Sequence, residues 1–186
     1  MKSHLLVILL ISVFGFSACA SEVLQVKLSI PLAVGQYGPL SGDKGLSIIY
    51  NDTIAKNVHF YVLITNVSHN TQRIWQDWNS WGYYTLTFEL TDGKGQTTIA
   101  TRPDTAWTFN SPTWWELAPG ETHVFEVYFA DPKQWINFPM PPVGKPQIYI
   151  VRAVYKVSES QESKHYSVWT GDIVSDPVRV LFHRTK

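Results

Sequence analysis

The chain has 186 residues, and its 15 Lys and Arg residues balance 15 Asp and Glu residues. This balance argues against nucleic acid as a partner, because binding it requires a basic surface, and the chain offers no polybasic segment for anionic lipids. A single cysteine excludes a disulfide framework. Aromatic residues make up 14% of the sequence, with eight tryptophans, so the chain must fold on an apolar core rich in large rings.

The first residues have the features of a signal peptide. Lys2 supplies a positive charge, an apolar run follows from Leu5 to Phe16, and small residues surround Cys19. The run is too short to cross about 30 Å of hydrocarbon as a helix. The sequence therefore predicts a signal peptide over residues 1–19 and export from the cytoplasm.

Two processing signals overlap at the end of this peptide. Phe16-Ser17-Ala18-Cys19 resembles the bacterial lipobox, in which the cysteine becomes the lipidated first residue of the mature protein. Ala18-Cys19-Ala20 also fits the A-x-A cleavage rule, which would release a secreted or periplasmic protein after Ala20. Because Cys19 is the only cysteine and stands where a lipobox requires it, we expect a lipoprotein anchored to a membrane of the cell envelope.

From residue 20 onward the sequence predicts β-structure. Apolar and polar residues alternate from Leu24 to Leu32, which is typical of a strand with one buried face. The run from Val58 to Val67 is rich in β-branched and aromatic residues, as in a strand that lies in the middle of a sheet and is covered on both faces. Leu46–Tyr50 predicts a short strand between them, and residues 67–82 are expected to be a polar loop.

A hairpin follows, with strands from Tyr84 to Thr91 and from Gln96 to Thr101 around the Asp92-Gly93 turn. Later strands are expected at Thr122–Ala130, Gln147–Val157 and Asp172–Arg184. The sequence thus predicts one domain over residues 20–186, an immunoglobulin-like antiparallel β-sandwich of about seven or eight strands. We expect its core to contain Phe60, Ile64, Phe88, Phe125, Val151 and Val180.

The tryptophans are unevenly placed along this pattern. If strands alternate in direction from Val58 onward, the connections 67–82, 102–119 and 158–172 lie at one end of the sandwich. They hold seven of the eight tryptophans, and Trp135 falls at the other end. If the strand Leu46–Tyr50 adds one reversal of chain direction, the first strand starts at the end opposite the tryptophans. Any lipid on Cys19 would then lie at that opposite end as well.

Such a cluster of rings has two interpretations. It is a surface for a protein or glycan partner in the envelope, because tryptophan offers a large contact area at a small entropic cost, or it is a set of buried rings that closes the end of the domain. The residues of the binding interpretation are Trp75, Trp78, Trp81, Trp114 and Trp115.

Several short segments resemble known families. Tyr149-Ile150-Val151-Arg152-Ala153-Val154-Tyr155 resembles the penultimate strand of bacterial immunoglobulin-like and fibronectin-III-like surface domains, and the tail from Val168 to Val178 is similar to the closing strand of envelope proteins. Asn66-Val67-Ser68, the Asp92-Gly93 hairpin and Leu117-Ala118-Pro119-Gly120-Glu121 are arranged as in BsuPI-type proteinase-inhibitor domains. The first resemblance implies a non-catalytic binding or structural module, and the second implies an inhibitor.

The sequence contains no pattern typical of an enzyme or a metal site. It has no G-x-S-x-G motif, and its histidines lack the spacing that sets two imidazoles on one metal. We therefore expect no enzymatic activity, no catalytic residue, no metal and no cofactor. Three functions stay open: a binding or structural module, a proteinase inhibitor that presents the loop 102–119 or 131–145 to a protease, and a carbohydrate-binding module that uses exposed tryptophan.

Overall fold

The structure, a computed structural model, describes residues 22–29, 46–51, 60–128 and 133–185. The predicted signal peptide, with Cys19 and the alternative cleavage site at Ala20, lies outside the described residues. The prediction of an all-β sandwich is confirmed. The elements are β1 (Leu24–Ser29), β2 (Leu46–Asn51), β3 (Phe60–Asn66), β4 (Gln72–Trp75), β5 (Leu86–Asp92), β6 (Thr97–Ala100), β7 (Trp114–Leu117), β8 (Thr122–Val127), β9 (Gln147–Val157), α1 (Gln161–His165), β10 (Gly171–Val174) and β11 (Val178–Thr185).

Two sheets form the body of the domain. The first has the strand order β1-β3-β8, and the second has the order β2-β11-β9-β5-β6, with β10 also paired to β9. The described strand pairs are antiparallel except β2 and β11, which are parallel. The strand β9 is central to the second sheet, since it pairs with β5 along one edge and with β10 and β11 in succession along the other.

A third, two-stranded sheet consists of β4 and β7. Both strands have four residues and lie in the connections 67–82 and 102–119, which were expected to be loops. They pair with each other across a long stretch of sequence, so no local pattern reveals them. With these two, the described residues contain eleven strands.

The last strand is also divided. One strand was expected over Asp172–Arg184, but β10 and β11 are separate because the ladder is interrupted at Ser175. There Ser175 N donates to Ala153 O at 2.9 Å, and Ala153 N donates to Ser175 Oγ at 2.9 Å. The serine hydroxyl thus accepts a hydrogen bond that a backbone carbonyl accepts in a regular ladder.

The strand β3 lies in the middle of the first sheet, as predicted for Val58–Val67. Phe60 is buried and stacks on Phe182 of the second sheet at 6.4 Å between ring centroids. On the opposite face Tyr61 and Leu63 are only half-buried, so the expectation that both faces are covered is wrong for the outer face. The six residues predicted for the core are all buried, namely Phe60, Ile64, Phe88, Phe125, Val151 and Val180.

The chain enters the domain where β3 ends. Leu24 is paired with Asn66, and Val67 N donates to Val23 O at 3.1 Å. The prediction that the first strand starts at the end opposite the connection 67–82 is therefore wrong. The reason is that β2 pairs with β11 in the second sheet and does not lie between β1 and β3. It therefore adds no reversal of strand direction between them, and β1 is antiparallel to β3.

The side chain of Asn66 fixes this end of the domain. It is fully buried, and its Nδ2 donates to Leu117 O and to Asn70 O, both at 2.8 Å. Its Oδ1 accepts from Ser68 N at 3.0 Å and from Ser68 Oγ at 2.7 Å. In addition, Gly120 N donates to the Asn66 carbonyl at 2.8 Å. The Asn-Val-Ser segment and the Leu-Ala-Pro-Gly-Glu turn are thus parts of one hydrogen-bonded unit.

The polar segment after β9 contains the short helix α1. Its N-terminus is capped reciprocally, since Ser163 N donates to Ser160 Oγ at 3.0 Å and Ser160 N donates to Ser163 Oγ at 2.8 Å. Beyond the helix Val168 N donates to Ser163 O at 2.9 Å, which turns the chain back toward β4. Within the described part of the chain, no helix is long and apolar enough to cross a membrane.

Candidate functional site

The three long connections that carry most of the tryptophans come together. Pairing of β4 with β7 joins the connections 67–82 and 102–119. Arg73 holds the connection 158–172: its carbonyl accepts from Trp169 N at 2.8 Å, and its Nη1 donates to Tyr166 O at 2.9 Å. The prediction that these connections lie together is confirmed.

Most of the rings in this cluster face inward. Trp75 is only 2% exposed, and its ring lies 6.0 Å from that of Trp81. The Trp114 ring packs against Tyr166 at 5.0 Å between centroids, and the Arg73 guanidinium lies over the Trp114 ring at 5.0 Å from its centroid. These rings fill the space between α1 and the two-stranded sheet of β4 and β7.

The two-stranded sheet of β4 and β7 also packs against the first sheet. The Trp115 ring stacks on His123 of β8 at 3.7 Å and meets Phe125 edge-on at 5.9 Å. Of the five tryptophans proposed from the sequence, Trp78 is the exposed one, at 56%, while Trp81, Trp114 and Trp115 are half-buried against the core. The rings that close the domain and the ring that faces solvent are thus different members of one cluster.

Trp135 lies close to the connections that carry the other tryptophans. It is buried, and the Arg102 guanidinium lies 4.5 Å from the centroid of its ring. Arg102 also lies 5.5 Å from the Tyr83 ring, and its Nη2 is 3.7 Å from Asp77 Oδ2. The prediction that Trp135 lies at the other end is therefore wrong, because the chain turns back and Ile136 pairs with the end of the hairpin through a β-bridge to Thr101.

Burial and a nearby carboxylate act in opposite directions on the ionisation of Arg102. Burial, the larger influence, lowers the pKa of the guanidinium, and the carboxylate of Asp77 opposes that change. Because the pKa of an arginine lies far above neutral pH, the group stays charged at neutral pH. Its role is to tie residue 102 to the loop that contains Asp77, with two rings covering its faces.

Asn79 joins the loop 77–84 to the loop 102–113. Its side chain is fully buried, and Nδ2 donates to both the carbonyl and the hydroxyl of Thr113 at 3.0 Å. Its Oδ1 accepts from Trp81 N at 3.1 Å and from Gly82 N at 3.0 Å. Gly82 has no room for a side chain, since a Cβ there would lie 2.1 Å from Gln76 O. The first loop is thus packed and hydrogen-bonded onto the second.

A second set of contacts holds the middle of the loop 102–113. Ser80 N donates to Asn110 Oδ1 at 3.0 Å, and Asn110 Nδ2 donates back to Ser80 Oγ at 2.6 Å. The Trp107 ring meets Tyr83 edge-on at 5.4 Å. With Arg102 at its start and Thr113 at its end, this loop is fixed at four points along its length.

On these two joined loops three aromatic side chains face solvent. Phe109 is 93% exposed, Trp78 56% and Tyr84 44%. We call these three residues the aromatic surface. Phe109 sits at a bend at residues 108–109, beside the Asn110 contact. Exposed apolar side chains that are grouped on neighbouring loops, and not scattered singly, are typical of a contact site.

Sequence reasoning found Trp78 but missed Phe109 and Tyr84. Tyr84 was assigned to the alternating strand that begins the hairpin, whereas β5 begins only at Leu86. Phe109 had a signal of its own, since an aromatic residue between Thr108 and Asn110 in a loop with no charged residue from 105 to 113 has no strand pattern that would bury it.

Candidate metal ligands do not cluster in the part of the chain that the structure describes. No group of three or more His, Cys, Asp or Glu residues there could hold a metal ion. No known protein family matches the chain, and no curated protein matches its sequence. The aromatic surface is the candidate functional site.

Removing the Asn79 amide should loosen the two loops. We expect Asn79→Ala to lower the free energy of unfolding by about 2–4 kcal/mol, because it removes the four hydrogen bonds of a fully buried side chain that joins the two loops. Urea denaturation followed by tryptophan fluorescence measures this change. Asn110→Ala is the matched control: its exposed hydrogen bonds should cost less than about 1 kcal/mol. Equal effects of the two substitutions would contradict the bracing role of Asn79.

His123 should make stability depend on pH. Burial beneath Trp115 lowers its pKa below the ordinary value, with a smaller opposing effect from Asp77. The folded state then binds fewer protons than the unfolded state, so stability is unaffected above about pH 6.5 and falls as the pH drops from there through the lower, folded-state pKa. His123→Phe keeps a ring on Trp115 and should lose less stability than the wild type between pH 7.5 and pH 5, measured by urea denaturation. An equal loss of stability in His123→Phe and in the wild type would exclude His123 as the origin of the pH dependence.

Proposed function

We propose that the domain is a non-catalytic binding module of the cell envelope that contacts a protein partner through the aromatic surface. The observation that carries the proposal is the 93% exposure of Phe109 on a loop fixed at four points. A loop whose backbone is held in position before binding loses little conformational entropy on contact. Aromatic rings surrounded by polar groups are also the usual composition of the centre of a protein interface.

The charges near the aromatic surface support a protein partner. Residues 105–113 carry no charged side chain, and Arg102 is occupied by Asp77. Without free positive charge the surface offers nothing for phosphate groups, so nucleic acid and anionic lipid fit it poorly. The predicted signal peptide and the lipobox-like Cys19 support the envelope location, and the resemblance to bacterial surface domains supports a binding or structural role.

A second function, inhibition of a proteinase, is favoured by the shape of the same loop. Inhibitors present a preformed convex loop that changes little on binding, and residues 108–109 form a bend with Phe109 projecting from it. A phenylalanine at that position suits a protease with an apolar specificity pocket, as in chymotrypsin, and does not suit the acidic pocket of trypsin. The loop 102–119 is therefore a better candidate for the protease-binding loop than the loop 131–145.

Crosslinking tests the binding module. A photoreactive benzoylphenylalanine at position 109, in the cells that produce the protein, should give a discrete protein adduct whose yield falls severalfold with Trp78→Ala. The matched control is the same photoreactive residue at Val124, which is exposed on β8. Equal adducts at both positions would contradict the proposal, and glycan binding that Trp78→Ala abolishes, without a protein adduct, would assign a carbohydrate-binding module instead.

Assays with chymotrypsin and trypsin test the proposed proteinase inhibition. As an inhibitor, the wild type should act on chymotrypsin and not on trypsin, and Phe109→Lys should reverse this preference, with each affinity changing by at least about a hundredfold. Trp78→Ala is the control, because it alters the aromatic surface without changing the residue at the bend. Absence of inhibition of chymotrypsin by the wild type, or inhibition that Phe109→Lys leaves unchanged, would exclude this use of the loop.

A further inference from the structure

The end of the domain where the chain enters is a defined surface, here called the entry end. It consists of Val23, residues 68–70, residues 118–120 and α1. Asn66 connects residues 68–70 to the turn at 118–120 through its side chain and carbonyl. Val23 lines a groove of about 470 Å³ together with Ser163 and Lys164 of α1. These segments are therefore neighbours, although they are far apart in sequence.

The opposite end of the domain is marked by the hairpin turn at 93–95. Along β9, Val157 pairs with Gly171, and the strand β10 that begins there shares a groove of about 260 Å³ with Glu22 and residues 24–26 at the entry end. Leu86 pairs near that end of β9, with Tyr155, and Asp92 pairs six residues further along, with Tyr149. At about 3.3 Å per residue, the turn lies roughly 20 Å from the entry end.

The proposed lipid attaches close to the entry end. Cys19 precedes Glu22, the first residue of the described part, by three positions, and three residues of chain reach at most about 10 Å. We infer that the entry end lies against the bilayer surface, with the hairpin turn at 93–95 directed away from it. This inference rests on the proposed lipidation of Cys19.

The chemistry of the entry end indicates that charge contributes little to this contact. His69 and Asn70 are exposed and polar, and Lys164 forms an ion pair with Glu159. A surface without a free basic cluster gains little from anionic headgroups. The orientation should therefore be the same on zwitterionic and anionic vesicles and should not depend on salt.

Fluorescence quenching at two positions tests the orientation. The acylated full-length protein is reconstituted in phosphatidylcholine vesicles that contain a lipid with a nitroxide on its headgroup. His69→Cys and Lys94→Cys, both at exposed positions, are labelled separately with the fluorophore NBD. Lipidation occupies the sulfur of Cys19, and the chain has no other cysteine, so each variant offers one free thiol.

The expected result is a loss of fluorescence at least about threefold greater at residue 69 than at residue 94, because one lies within reach of the tether and the other roughly 20 Å beyond it. Equal quenching, or stronger quenching at residue 94, in protein that floats with the vesicles would overturn the orientation alone. A mature N-terminus without the acyl mass, in protein that does not float, would overturn the proposed anchor and the orientation with it. Mass spectrometry and flotation thus separate the two failures.

Discussion

The hydrogen bonds of the buried Asn79 side chain are the constraint on which the aromatic surface depends. A buried amide costs free energy unless its donors and acceptor are all paired. Asn79 pairs them on both loops, with Thr113 on one and with Trp81 and Gly82 on the other. Asn66 does the same at the end of β3. Long connections can therefore lie against the sheets without leaving their own backbone groups unsatisfied.

Burial divides the tryptophans into two roles. Short sheets leave gaps at their ends and sides, and large rings such as Trp75 and Trp115 fill these gaps at a small cost in conformational entropy. Because those rings are fixed inside, the loops above them are fixed as well. The exposed rings of Trp78 and Phe109 thus stand on loops that buried contacts hold in place.

The sequence was a good guide to strands and a poor guide to the site. The hairpin around Asp92-Gly93 and the strand β9 were predicted because alternation and turn chemistry are local properties. Trp75 and Trp78 could not be told apart by the same reasoning, since they stand three residues apart in one polar segment. The pairing of β4 with β7, which buries Trp75, joins residues that are far apart in the sequence.

By itself the sequence determined that the domain is β-structure and which side chains fill its core, because each strand carries that information in its own alternating residues. Tertiary structure alone decided which aromatic rings face solvent, that Trp135 lies beside Arg102, and at which end the chain enters. Each of these depends on strand order and on contacts between distant residues. The position of β2 in the second sheet, for example, reverses the end at which β1 begins.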